Sequence, residues 1–227
     1  LEFEFLTRVR DALTKADFWN EFKTTWFCLD AELMPWSFKA QELLERQYAS
    51  VGAAGQAGLG ESVGVLEQAR ARGLDVEVLL GQTTERLNRV LNYREAYRQY
   101  CATVNSVNDL KLASFHLLAT EGAVHSDKDH LWHMQTLARL ADADLQLLQA
   151  TNYQLVTLSD EASCHEAITW WLAMTKKGGE GMVVKPLSFA IQGSKGLIQP
   201  AIKCRGQEYL RIIYGPEYDK PEHLERL

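Results

Sequence analysis

Three short stretches of this 227-residue chain set charges where a core strand would be apolar. In Leu29-Asp30-Ala31-Glu32 the carboxylates are two residues apart, a spacing that puts both on one face of a strand. Two neighbouring carboxylates are costly unless a cation or a donor sits between them. Glu180-Gly181-Met182-Val183-Val184-Lys185 closes an apolar run on a lysine, and in Ile202-Lys203-Cys204-Arg205 the two cations share a face. Carboxylates from one strand and lysines from two others suit a nucleotide, with the cations on phosphates and the carboxylates on a metal or a ribose. Each stretch alone also fits a solvated edge strand; it is the ordered set that favours the nucleotide. Glu180 and Lys185 are five apart, and strict alternation would oppose them. Glu180 is therefore expected in the turn before the strand, which Gly178, Gly179 and Gly181 permit.

Two further groups stand out. His125, His130 and His133 lie within HSDKDHLWH, where H-x4-H-x2-H has the spacing of a zinc site but also fits a capped, solvated helix start. Arg86, Arg89, Arg94 and Arg98 are interleaved with Tyr93, Tyr97 and Tyr100, a pattern that suits a nucleic-acid backbone and bases. The same pattern fits a helix paired through Glu85 and Glu95. Trp170 and Trp171 read as core or interface filler.

The elements that must position these residues follow from periodicity. Phe5, Leu6, Val9 and Leu13, with Phe18 following, have helical spacing, 25–29 read as a short buried strand stopped by Met34-Pro35, and 38–48 are helical by composition. The Gly/Ala-rich segment 49–60 reads as a flexible loop. Its glycines form neither GxGxxG nor a P-loop, since no GK[ST] follows. Residues 61–101 read as helical, with a stop at Gly73 and a second helix opening at Thr83 or Thr84. Residues 110–119 are strand-like, 129–149 helical, 153–158 a strand, and 161–175 a helix capped by Ser159 or Asp160. GMVVKP, AIKCR and EYLRIIYG read as short strands. The fold class is α+β, with antiparallel sheets and an inserted all-α module. The segments are a core piece over 1–37, a helical insert over 38–109, a second core piece over 110–215, and the start of a C-terminal module over 216–227.

Composition is that of a globular chain, 46% hydrophobic and 24% charged, with 24 basic and 30 acidic residues for a net charge of −6. That excludes a wholly basic nucleic-acid binder but not a local basic groove. No apolar run approaches membrane-spanning length. The four cysteines form no CxxC, so a zinc ribbon is excluded and reduced thiols in a cytoplasmic setting are expected.

The motifs resemble those of the covalent nucleotidyltransferases, the superfamily of ATP-dependent polynucleotide ligases and capping enzymes. LDAEL is similar to their motif III, ASFHLLA to motif IIIa, EGMVVK to motif IV (EGxVxK) and IKCR to motif V. LDAELMPWS and IKCRGQEYLRIIYGPEY are similar to the ligase domain of bacterial polynucleotide kinase-phosphatase, an RNA-repair enzyme. The resemblance implies a nucleotidyltransferase-type core that makes a lysyl–AMP phosphoramidate from ATP, moves AMP to a 5′-phosphate end and seals that end to a 3′-hydroxyl. By position, Phe115 would stack on adenine, Glu32 would face the ribose or a metal, and Glu180 would help bind Mg2+ (or Mn2+). Lys185 and Lys203 would hold the α-phosphate of ATP or AMP, with Arg205 as a further basic residue.

One element of the family pattern is missing. The nucleophile lies in a KxxG upstream of motif III, and here only Lys15 and Lys23 precede it, in KADF and KTTW. Lys203-Cys204-Arg205-Gly206 is a KxxG, but it stands in the place of motif V. The chain reads as a piece that begins after motif I and stops soon after IYGPEY. The resemblance further implies RNA ends as substrates. It implies kinase and phosphatase domains on the same polypeptide, a partner 3′-terminal ribose 2′-O-methyltransferase, and possible homodimerisation. The alternative is a non-catalytic assembly module that docks a repair partner through its helical insert.

Overall fold

The computed structural model describes residues 1–35 and 42–227. The start of the expected helix 38–48 and the first insert boundary fall outside them. The chain divides into two compact units.

The first unit comprises Leu1–Phe38, Ala102–Cys164 and Val183–Lys203. Helix α1 (Glu2–Lys15) turns Ala12 and Leu13 into the core, with Glu2 and Glu4 in its first turn and Lys15 in its last, complementing the helix dipole. A short α2 (Phe18–Glu21) buries Phe18. Strand β1 (Phe27–Met34) alternates between half-buried and exposed residues, so it lies on the core with one face only. It pairs antiparallel with β2 (Lys111–Thr120), which continues through a tight turn into β3 (Ala123–Val124) and is flanked in parallel by β4 (Leu148–Ala150). The register between β1 and β2 slips twice: Asp30 pairs with His116 and Ala31 with Ser114, leaving Phe115 as an extra residue, and Leu118 is passed over likewise. Helix α5 (His130–Asp142) covers this sheet with Leu137 and Leu140, which join Leu13, Phe18, Val107 and Leu147 in one core.

The second unit comprises Lys39–Cys101, His165–Met182 and Cys204–Leu227. A π-helical turn over Leu44–Ala49 leads into α3 (Ser50–Ala71), which packs along α4 (Glu77–Arg98). The expected loop at 49–60 is thus helix. Its small residues serve close helix packing: a Cβ on Gly52 would lie 2.6 Å from Arg94 Cγ. Helix α4 begins well before Thr83. Helix α6 (Glu161–Lys176) agrees with the expected bounds.

The stretch EYLRIIY, expected as a strand, is helix α7 (Gln207–Tyr214). Leu210, Ile213 and Tyr214 fall at i, i+3 and i+4, and a run this short fits either period. It buries Ile212 against Tyr93 and Tyr97, and Arg211, 4% exposed, is held by Glu208, Asp219 and the Pro216 carbonyl. A last helix, α8 (Pro221–Leu224), packs in this unit.

Strands β5 (Gly181–Val184) and β8 (Ile202–Arg205) pair with each other, and β6 (Ile191–Gly193) with β7 (Gly196–Ile198). Two further expectations are corrected. Helix α5 ends at Asp142 rather than 149, because β4 is drawn to the open edge of β2. Tyr153–Leu158 is no strand: among the described residues it has no strand partner, and Thr157 instead donates its N–H to Ser163 Oγ, leading into α6. All four cysteines are free, and among the described residues no helix is long and apolar enough to cross a membrane.

Candidate active site

In the first unit the β1–β2 pair and α5 build a cluster of titratable side chains. Asp30 and Glu32 share the exposed face of β1, as alternation requires. Asp30 Oδ2 lies 2.8 Å from Nδ1 of His116, its register partner on β2. A carboxylate only accepts, so Nδ1 carries the proton and His116 Nε2 is the acceptor of the neutral ring. Nε2 faces His130 Nδ1 at 3.1 Å and Lys185 Nζ at 3.4 Å. His130 is held in place by its own N–H, which donates to the Leu187 carbonyl at 2.9 Å and ties the start of α5 to the segment after β5. Phe189 closes the cluster, its ring centroid 5.1 to 5.5 Å from those of His116, His130 and His133.

The electrostatics follow from burial. His116 is 3% exposed, and burial, opposed by Asp30, holds its pKa below the usual histidine value. His130 and His133 are pushed down to about 4, by burial first, then by the Lys185 charge at His130 and by His116 at His133. These rings are neutral at pH 7. The Lys185 ammonium is lowered too, by burial, with Asp30 partly offsetting it. Among the described residues no carboxylate lies within ion-pair distance of Lys185, so a half-buried cation has a neutral ring for a neighbour. Burying a cation without an anion is costly. The arrangement favours an anionic ligand, and a phosphate has the matching charge and acceptors.

Glu32 and Lys203 are exposed, with no ion pair among the described residues. Phe115 is half-buried at the bulge, released from the strict alternation that would oppose it to His116. The structure thus links Lys185 to Asp30 through the His116 ring.

In the second unit Glu180 precedes the first residue of β5, as expected, and accepts from Arg205 Nη1 at 2.7 Å. The Arg205 guanidinium lies 4.7 Å over the Tyr209 ring. Gly181 is indispensable to this turn: it has φ +132°, and a Cβ would lie 2.1 Å from the Cys204 carbonyl oxygen. Trp171 Nε1 donates to that same carbonyl, so this tryptophan is a structural filler with a satisfied polar end. The Tyr100 hydroxyl donates to the Gly178 carbonyl at 2.6 Å, and burial, with Glu180 nearby, raises its pKa.

The arginines of α4 differ from one another. Arg89 is engaged by Glu85 and Asp219, and Arg86 lies 3.3 Å from Glu217. Arg94 runs alongside Gly52, and Arg98 is exposed. Among the described residues no three His, Cys, Asp or Glu side chains are grouped to hold a metal. The start of α5 is capped, as expected, but it is not solvated, since His125 and His133 are buried. His125 is drawn away to Thr120 Oγ1 at 3.0 Å and stacks on Trp132, while Asp129 caps α5 by accepting the Trp132 N–H at 2.7 Å.

Sequence reasoning did not single out His116, although it lies inside ASFHLLA. A lone histidine within an apolar strand, facing an aspartate-bearing strand, was the available signal. Magnesium fits these residues only in its sparse mode, with one or two carboxylates and the remaining ligands from phosphate and water. Glu32 has a carboxylate to offer, whereas Glu180 is shared with Arg205.

Compared with known protein families, residues 1–227 match the PNKP adenylyltransferase domain, ligase domain. Among curated proteins there is no match. Among solved structures the fold is similar to a chain of the Pnkp1/Rnl/Hen1 complex, with a TM-score of 0.58 and 17% identity over 88% of this chain. The chain spans 57% of the length of that relative.

Proposed function

We propose an activity from one premise: this chain belongs to the PNKP adenylyltransferase domain family, the ligase domain. It is an RNA ligase-type nucleotidyltransferase domain. Its reaction is AMP transfer from ATP through a lysyl–AMP to a 5′-phosphate RNA end, followed by sealing to a 3′-hydroxyl. The observation that carries this reading is Lys185, a half-buried cation without a carboxylate partner among the described residues, on the strand end where the family's phosphate-binding lysine stands.

Lys185 and Lys203 hold the α-phosphate, Phe115 offers a face to the adenine, and Glu32 meets the ribose or the cation. Glu180 and Arg205 are assigned in the same way, residue by residue. Magnesium, when bound, screens phosphate charge and stabilises charge developing at phosphorus; in the first unit Glu32 is the carboxylate that would hold it. No KxxG precedes β1 within residues 1–227, so none of these lysines is assigned as the adenylyl acceptor. Kinase and phosphatase domains and a terminal 2′-O-methyltransferase are the proposed companions; that the fold resembles a chain solved within a complex, Pnkp1/Rnl/Hen1, supports an assembly of several components.

The test is mass spectrometry after incubation with ATP and magnesium. The chain joined to a segment that carries the family's KxxG lysine should gain one AMP, and residues 1–227 alone should gain none. No gain in either, together with no AMP binding, would leave the docking-module reading in its place.

A further inference from the structure

We propose that His116 is a positioning residue for Lys185, its tautomer fixed by Asp30 so that Nε2 accepts from the lysine and turns the remaining ammonium protons toward a phosphate. The inference rests on the nucleotide reading above and deepens it. A lysine has three donors on a flexible stem and does not orient itself. Here Asp30 Oδ2, His116 Nδ1, His116 Nε2 and Lys185 Nζ form one chain, with steps of 2.8 and 3.4 Å across the ring. That is the arrangement by which an acid orients a histidine and the histidine orients a working group.

The groups facing the His116 ring from all sides are Asp30 on β1, His130 and His133 on α5, and Lys185 after β5. The two histidines also have assignable tautomers. His133 Nδ1 accepts the Leu117 N–H at 3.3 Å, so its proton sits on Nε2. His130 Nδ1, facing the bare Nε2 of His116, is a donor, which leaves its own Nε2 bare. The His130 and His133 Nε2 atoms are buried and have no hydrogen-bond partner among the described residues. The single lone pair of His116 Nε2 is therefore shared between His130 and Lys185. Lys185 is steered by it without being saturated, and two of its protons remain for a ligand. The Leu187 carbonyl, by accepting from the His130 backbone, fixes the segment on which Lys185 arrives.

The experiment is a titration of AMP against the purified chain, wild type and His116→Gln, Lys185→Ala, the double variant and Asp30→Asn, from about pH 7 to about pH 10.5. Gln retains an acceptor but cannot serve Asp30 as the imidazole does. In the wild-type background H116Q should weaken binding about 5- to 10-fold, and in the K185A background by less than about 2-fold, because the effect passes through Lys185. D30N should move the alkaline limb of the affinity profile to lower pH, since it removes the charge that supports the Lys185 ammonium. A purely structural His116 would weaken both backgrounds equally, and that result overturns the proposal. If H116Q does not fold by circular dichroism, the half-exposed Asp30 still allows the test, and an unmoved limb in D30N decides against it. AMP binding that is indifferent to K185A overturns the nucleotide reading itself, and this inference with it.

Discussion

Asp30 and His116 face each other across β1 and β2 at 2.8 Å, while Glu32, two residues along the same face, stands opposite Ala113 with no ion pair among the described residues. One strand thus presents one carboxylate that is bound within the protein and one that is open. The two should separate on mutation.

Glu32→Ala should leave the melting temperature within a few degrees and abolish AMP transfer in the lysine-complete protein, because only a ligand contact is lost. Asp30→Ala should cost about 1 kcal/mol of stability, modest because the side chain is 50% exposed, as read by urea denaturation. A reversal, with Asp30→Ala stable but inactive and Glu32→Ala active, would exchange their roles.

Lys185→Ala and Lys203→Ala should each lower AMP transfer by roughly two to four orders of magnitude, the effect of losing a charge contact of about 3–5 kcal/mol in the transition state. Single-turnover transfer from ATP measures it. Near-wild-type rates in both variants would remove the lysines from the reaction.

Stability should fall on acidification through the histidine cluster. His130 and His133 have folded pKa values near 4, below the unfolded value of about 6.5, so the unfolded chain takes up protons first. The folded state is therefore fully favoured above about pH 6.5 and loses stability as pH falls toward 4. For the fully buried His133 the loss is on the order of 3 kcal/mol. Thermal melts across that window should show the decline, and His133→Asn, which keeps an acceptor for the Leu117 N–H, should flatten it. A melting temperature indifferent to pH would contradict neutral burial.

Two glycines of α3 should respond oppositely to alanine. Gly58 has open space around its Cβ position, so Gly58→Ala should stabilise by roughly 0.5–1 kcal/mol through helix propensity. At Gly52 the added methyl meets Arg94 and Tyr97, and overpacking of about 1–3 kcal/mol should outweigh the same gain. Denaturation midpoints of the two variants decide it.

What the sequence determined by itself was local and periodic. Two-residue spacing put Asp30 and Glu32 on one face of β1; Gly178 and Gly181 marked the turn that holds Glu180; the residues before Glu161 marked where α6 begins. These depend on backbone geometry over a few residues, which residue type encodes directly. The family was legible for the same reason, because its motifs are short and ordered.

What only the tertiary structure decided involved partners distant in sequence or runs that fit two periods. EYLRIIY became a helix because burying Ile212 on Tyr93 and Tyr97 favours one period over the other. The Gly/Ala stretch became a helix because another helix lies close against it. The register slip at Phe115 sets His116 opposite Asp30, 86 residues away, and the segment after β5 brings Lys185 to the same ring. No local spacing encodes that meeting, since it exists only once β1, β2 and α5 have packed.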